Sequence, residues 1–503
     1  MSSLESDSRY KLMESGITHN GYVAPPWIEN EGRYFNEEGI FNPDAYDPSA
    51  PYKIQGKSFR LASNPDKEFE DPFDLDNLRF LEKHKIENLL KKLEGLAAEI
   101  ADTGSTKEVV AMIGTGGTIA MTFVNGEEKP TLDPEYLLKY AGGALDERFS
   151  VSSTQYPTPI DSSKQEFDYE ADLAIAMSWI WKNMSDQLKE CFAGFAIPHG
   201  TDTLGGGSNS TSMMLGPNCP FSVGFVGAQK TTQHLYSDVG TNIRGLFDTL
   251  HTLKRQKKVA RFVYMGGTEG GAFHPAGVIK IDDRHANAFR TPIHERLINA
   301  SDFGLGGMID RFGRRYMETL DREGAQKAFQ PIILRGYAPV IDLTPKLGTN
   351  PALYYQQIST NESAIAVLLT TFGSYTVNPK VRKAITLAAQ AKGKIVLGAN
   401  PFPGGSTNHN YGPAKELREN GAYAVGTLPD ATMIKVFLAH SVFGNNLPLL
   451  VQFLIENNFI GEQNPGEWML NSEDGVVTPE LDTSVSSMPR FGAPDAFFQK
   501  VKA

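Results

Sequence analysis

"VVAMIGTGGTIAM", residues 109–121, opens on an unbroken apolar run and then breaks into glycine and threonine. A short apolar run bounded by turn residues is the pattern of a strand buried on both faces. Ligands in open α/β sheets sit beyond the carboxyl ends of strands. The loop therefore either cradles a phosphate or carries a nucleophile. A Walker A loop needs GxxxxGK[ST], and no such lysine follows here. A dinucleotide loop needs GxGxxG, and in the register starting at Gly114 it is Ile119 that falls where the third glycine belongs. The nucleophile reading leaves Thr115 and Thr118 as hydroxyls at a strand end, beside glycines that let a substrate approach the backbone. A threonine hydroxyl alone is a poor nucleophile. It needs a base and an oxyanion acceptor, so that reading demands partners elsewhere in the chain.

Working outward, "EVVAMIG", "FAGFAIPHG", "FSVGFVGA" and "ARFVYMGG" read as buried strands. "YEADLAIAMSWIWKNMSDQL", "SNSTSMMLG" and "DVGTNIRGLFDTLHTL" read as helices. Strands alternating with helices predict an α/β fold, a parallel sheet wrapped by helices over residues 107–315. A linker at 316–337 leads to a second, smaller α/β domain at 338–460. Its strands are "APVIDL", "AIAVLLTTFG" and "KIVLGA", and its helices are "NPKVRKAITLAAQAKG", "GPAKELRENG", "DATMIKVFLAHS" and "LPLLVQFLIENN". Residues 461–503 read as a polar tail and residues 1–75 as an acidic, aromatic leader. The leader is either an extended arm or a partly disordered segment. Residues 76–106 read as an amphipathic helix and linker, with Leu78, Leu81, Leu89, Leu93, Leu96 and Ile100 at helical spacing. That stripe packs on the chain's own body or on a neighbouring subunit.

The chain has 503 residues and a formal charge of -11, which argues against a nucleic-acid or anionic-membrane partner. Its two cysteines, Cys191 and Cys219, sit in no Cys/His cluster, so no zinc site and no disulfide framework is expected. The N-terminus lacks the apolar segment of a secretory signal, and no apolar run is long enough to span a bilayer. The expectation is a reduced, cytoplasmic compartment.

Two further elements offer the partners that Thr118 needs. In "IPHGTDTLGGG", residues 197–207, Thr201 and Asp202 follow a second buried strand. They form either a hydroxyl–carboxylate relay or an ordinary helix N-cap. In "GVIKIDDRHANAF", residues 277–289, Lys280 is either a solvated surface cation or, if drawn beside a carboxylate and a hydroxyl, a proton acceptor.

"TGGTIA" (115–120) and "HGTDT" (199–203) together resemble the two signature segments of the bacterial-type asparaginase/glutaminase family, particularly its cytoplasmic type I branch. "DSS" at 161–163 is similar to the family's substrate-binding segment. "GAQ" at 227–229, then Ser237, Asp238 and Asn242, resembles the stretch after the second signature, and Lys280 with Phe289 matches the spacing around the catalytic lysine. The resemblance implies that Thr118 is the nucleophile and that Thr201, Lys280 and Asp202 form a second triad. It also implies an oxyanion contact from the Thr201 backbone N–H. Asp202 and Ser162 would grip the substrate's α-amino and α-carboxylate groups, with Asp161 and Ser163 beside them. The implied reaction is hydrolysis of L-asparagine to L-aspartate and ammonia without metal or organic cofactor, with glutaminase activity as a second expectation. The implied assembly is a homo-dimer or homo-tetramer.

This sequence departs from the family pattern in three places. The lid "TFVNGEEKPTLDPEYLL" lacks the tyrosine many members carry there, since Tyr136 and Tyr140 fall on the next helix. "TTFGSYTV" has Ser374 where an asparagine is common. Gly205, Gly206 and Gly207 open the helix after "HGTDT", which predicts a pliable start costing about 1 kcal/mol per glycine. Two other functions fit parts of this pattern. One is the ammonia-releasing subunit of a tRNA-dependent amidotransferase, and the other is a non-catalytic amino-acid-binding scaffold.

Overall fold

A computed structural model describes the chain from Glu70 to Glu462, apart from residues 300–328, 402–416, 418–421 and shorter stretches; before Glu70 it describes only two-residue strands at Ile54–Gln55 and Ser58–Phe59. Most of the leader aromatics, Ser374, most of the expected helix at 412–421 and nearly all of the tail lie outside the described residues. The chain forms two compact units. One is Glu70–Gly336, and the other is described over residues 337–462.

The first unit is built on a seven-stranded sheet. Its elements are α1 (Lys83–Thr103), β1 (Glu108–Gly116), the hairpin β2 (Met121–Val124) and β3 (Glu127–Pro130), α2 (Pro134–Ala141), β4 (Phe149–Ile160), α3 (Phe167–Asn183) and α4 (Asp186–Cys191). There follow β5 (Phe192–Pro198), α5 (Leu204–Leu215), β6 (Val223–Val226), α6 (Val239–Arg255), β7 (Arg261–Met265) and β8 (Gly271–Phe273). The hairpin β9 (Ile279–Lys280) and β10 (Phe289–Arg290) and the strand β11 (Ile298–Asn299) complete it. The sheet order is β11–β8–β7–β6–β5–β1–β4. The five strands from β7 to β4 are parallel, and β8 and β11 add antiparallel at one edge.

All nine residues of β1 are buried, as are all seven of β5. Val110 and Met112 of β1 enter one apolar cluster with Leu137 of α2 and Ile243, Leu246 and Leu250 of α6. The one long strand absent from the sequence reading is β4. Its sequence, "FSVSSTQYPTPI", is polar and carries two prolines. It lies at the sheet edge, where a strand keeps one solvated side and tolerates proline. The helix expected over 169–188 is two helices. Ser185 breaks it, its Oγ accepting from Leu188 N–H at 3.1 Å to cap α4.

The amphipathic stripe of α1 is Ile86, Leu89, Leu93 and Ala97, and it packs within its own unit on β1, β4, α3 and α4. The helix starts at Lys83, later than the leucine spacing predicts. The residues before it turn over Asp172, a fully buried side chain of α3. Asp172 accepts from the backbone N–H groups of Arg79 (3.0 Å), Phe80 (2.6 Å) and Leu81 (2.9 Å). Arg335, near the far end of the unit, donates to Asp172 Oδ1 at 2.9 Å, to Glu70 at 2.9 Å and to Asn77 O at 2.6 Å. A buried carboxylate is tolerated only when paired and hydrogen-bonded, and Asp172 is both.

The second unit has a four-stranded parallel sheet in the order β12 (Val340–Leu343), β13 (Ala366–Thr370), β14 (Ile395–Ala399), β15 (Ala422–Val425). Its helices are α7 (Pro351–Thr360), α8 (Pro379–Ala391) and α9 (Pro429–Phe443). Asn350 and Asn378 cap α7 and α8 through side-chain oxygens, each followed by proline at the first helical position, a pairing that fixes both helix starts.

Candidate functional site

Sheet order places the site. The chain leaves β1 for β4 on one side, then crosses to β5 on the other. β1 is thus the point where the strand order reverses, and the loops after β1, β4 and β5 gather at one end of three adjacent strands.

Those loops touch through glycine. Gly117 has φ +75°, and a β-carbon placed on it would lie 2.1 Å from Cα of Gly200. A β-carbon on Gly200 would in turn lie 2.3 Å from Ser162 Oγ. No other residue type permits backbones this close. Hydrogen bonds tie the same three loops: Thr115 Oγ1 donates to Pro198 O at 3.2 Å, and Thr203 Oγ1 donates to Ser162 O at 3.1 Å. Ser162 is buried and Ser163 exposed. Thr118 opens a short 3-10 turn, Thr118–Ala120, directly after β1; its side chain, like Asp161, lies outside the described residues.

Lys280 reaches this end from the β9–β10 hairpin, in which it pairs with Phe289. Its Nζ donates to Thr201 Oγ1 at 3.0 Å and to Asp202 Oδ1 at 2.7 Å. Thr201 is buried, whereas the Lys280 and Asp202 side chains are 22% and 57% exposed. Of the two readings of "TDT", the helix cap does not form on either residue. The cap position of α5 belongs to Thr203, whose side chain makes no cap bond. The glycines that open α5 have a packing role at Gly205, where a β-carbon would lie 2.5 Å from Val278 O. Bare backbone there lets the first turn of α5 sit against the segment that delivers Lys280.

Two contacts were not anticipated from the sequence. His199 is fully buried, its Nδ1 2.8 Å from Gly200 O and its Nε2 3.4 Å from Glu170 Oε1 on α3. This buried pair underlies the loop that carries Thr201. Its signal was an acidic residue on the buried side of α3. Asp238 and Asn242 prove to be architectural. Asp238 accepts from Gln229 and Lys230 N–H, and Asn242 bridges Gly227 O and Gly266 N.

In the lid, β2 and β3 pair antiparallel, while Tyr136 and Tyr140 stand exposed on α2. Burial pushes the Cys219 thiol up to about 11 and raises that of the half-buried Cys191, so neither is a thiolate nucleophile at neutral pH. Among the described residues, no three His, Cys, Asp or Glu side chains are grouped to hold a metal, and no helix is long and apolar enough to cross a membrane.

Residues 109–304 match the family model for the N-terminal domain of asparaginase. Over this stretch the chain is similar to the asparaginases. It takes in Thr118, Thr201, Asp202 and Lys280 alike. The fold agrees. The thermostable L-asparaginase from Thermococcus kodakarensis superposes with a TM-score of 0.56 at 18% identity, over 71% of this chain and 99% of that one. L-asparaginase I from Vibrio cholerae gives 0.54 at 20% identity, with the same coverage of each chain. A probable cytoplasmic L-asparaginase from Campylobacter jejuni gives 0.50 at 16% identity, over 69% of this chain and 99% of that one. No curated protein sequence matches the chain. The matched stretch ends before Arg335 and starts after α1, so both lie outside the family match while belonging to the same compact unit.

Proposed function

We propose that the protein is an amidohydrolase that converts L-asparagine to L-aspartate and ammonia with Thr118 as nucleophile. The observation that carries this reading is Lys280 Nζ within hydrogen-bond distance of both Thr201 and Asp202, on a loop in backbone contact with the loop of Thr118.

In this reading the Thr118 hydroxyl attacks the side-chain amide carbon, and negative charge collects on the amide oxygen. The Thr201 backbone N–H faces that charge. A donor fixed at a strand-to-loop turn needs no reorganisation as charge develops, which is the source of oxyanion-hole catalysis. The C–N bond breaks only if the departing nitrogen gains a proton. Lys280 relays it between the Thr201 hydroxyl and the site, held in place by Asp202, and such acid–base steps contribute about 10²–10⁴-fold. Water then cleaves the Thr118 ester and frees aspartate. Ser162 and Asp202 hold the α-carboxylate and α-amino groups, with Asp161 and Ser163 beside them, and this grip orients the amide for attack.

The test is ammonia release from L-asparagine by the full chain, with L-glutamine measured alongside. Thr118→Ala is expected to lose at least about 10³-fold. Full activity in that variant rejects the nucleophile assignment. Absence of ammonia release from either amide by the parent chain rejects the function.

A further inference from the structure

The amino ends of β5, β6 and β7 lie opposite the catalytic loops. A cavity of about 430 Å³ opens there, with Trp181, Phe192 and Phe221 among its apolar walls. β5 runs from Phe192 in this cavity to Pro198 at the catalytic end. Seven residues of strand place the two roughly 20 Å apart.

The same lining is also cationic, with Lys189 Nζ 5.6 Å from the centre of the Trp181 ring. Lys189, Lys254, Lys257 and Lys258 line the cavity, and no carboxylate does. Among the described residues, Lys189, Lys257 and Lys258 form no ion pair. Lys254 is held at the wall by donating to Phe192 O at 3.0 Å and to Glu190 O. A chain of net charge -11 thus gathers four ammonium groups around one hollow with no acid among them. An anion in the hollow would be attracted by all four of these groups.

A second observation concerns Lys257. It ends α6 with φ +53°, in the left-handed region. Its N–H donates to Lys254 O at 3.0 Å, and that of Lys258 donates to Leu253 O at 2.9 Å. This is the six-to-one and five-to-two bonding of a Schellman turn, whose left-handed position is ordinarily glycine. A lysine there is strained by its β-carbon. Backbone strain kept at one rim of a cation-lined cavity points to a use for that side chain.

We propose that this cavity binds a small organic phosphate. A phosphate monoester carries nearly two negative charges and three acceptor oxygens, which suits the three lysines without carboxylate partners. The apolar wall and the volume call for a ring or hydrocarbon body attached to it, in the size range of small-molecule sites.

Isothermal titration of the full chain with adenosine monophosphate, inorganic phosphate and adenosine tests this. Adenosine monophosphate is expected to bind at least about tenfold more tightly than either half. Lys257→Gly is expected to weaken it about tenfold while raising Tm, because glycine relieves the left-handed strain. Lys258→Gln weakens it similarly with Tm unchanged, and ammonia release without the nucleotide stays at the parent rate in both. Three results overturn the proposal. They are no heat from adenosine monophosphate at millimolar concentration, inorganic phosphate binding as tightly as the nucleotide, or affinity unchanged in the Lys257→Gly, Lys258→Gln double variant. All three are read from binding, so they stand apart from the amidohydrolase reading.

Discussion

Two lysine–carboxylate pairs of nearly equal length behave differently because of what surrounds them. Lys280 Nζ lies 2.7 Å from Asp202 Oδ1, and Lys435 Nζ lies 2.6 Å from Glu462 Oε1. The second pair is closed, with side chains 1% and 0% exposed. Glu462 also accepts the N–H groups of Phe459 and Ile460, and Lys435 donates to Leu454 O and sits 5.4 Å from the centre of the Phe453 ring. The first pair is half open, and the lysine's further partner is a hydroxyl at a strand end. An ion pair whose partners are all internal locks the chain in place. One with an open side and a hydroxyl neighbour can pass protons to a bound molecule. Burial pushes the Lys435 ammonium below its ordinary range, and Glu462 opposes that shift.

The comparison can be broken from either side. Lys280→Met should reduce ammonia release by about 10³-fold, at the loss expected of a proton relay. Its Tm should barely move, since exposed pairs contribute no more than about 1 kcal/mol. A large fall in Tm with activity retained would make Lys280 structural, like Lys435. Glu462→Gln should do the opposite and cost about 3–5 kcal/mol in denaturant melts, by leaving a buried cation without its anion. Lys435→Met combined with Glu462→Gln should recover much of that loss, because the amide oxygen can still accept from the Phe459 and Ile460 N–H groups.

The smallest effect sharpens the contrast between closed and open charge. Asp430 and Asp342 both keep solvent-exposed faces, and the protein packed around each still raises its carboxyl, with the Asp430 charge adding to the rise at Asp342. A carboxyl whose folded pKa lies above its unfolded value binds protons more tightly when folded. The resulting stability is full below the ordinary carboxylate range and is lost as pH rises through the raised value. Asp430→Asn should therefore flatten the Tm profile between pH 4 and neutrality, and raise Tm at pH 7 by about a degree. An unchanged profile would show that Asp430 is not the group responsible.

The core strands were legible because double burial demands uninterrupted apolar runs, as in β1, β5, β6 and β7. β4 escaped because an edge strand need satisfy only one side. The position of α1 was misjudged by its leucines, since Asp172, 91 residues from Leu81 in sequence, holds the preceding turn. The candidate site could be read from the sequence as residue types and not as an arrangement. Lys280 lies 78 residues beyond Asp202, and only strand order and the bare backbone at Gly205 account for their meeting. The glycine run looked like a weak helix start, yet at Gly205 it is a fitted surface. His199 and Glu170 show the converse, a pair whose relation depends on packing between α3 and the loop after β5.

The grip of Asp172 has a consequence for engineering. That carboxylate takes the entry turn through three backbone amides and the exit segment through Arg335. Both termini of the unit Glu70–Gly336 are thereby fastened at one spot. A stretch with adjoining termini is a cassette: its old ends can be spliced by a short linker and new ones opened at an exposed loop. Such a circular permutant should keep the contact of Lys280 with Thr201 and Asp202 provided that Asp172 and Arg335 are untouched.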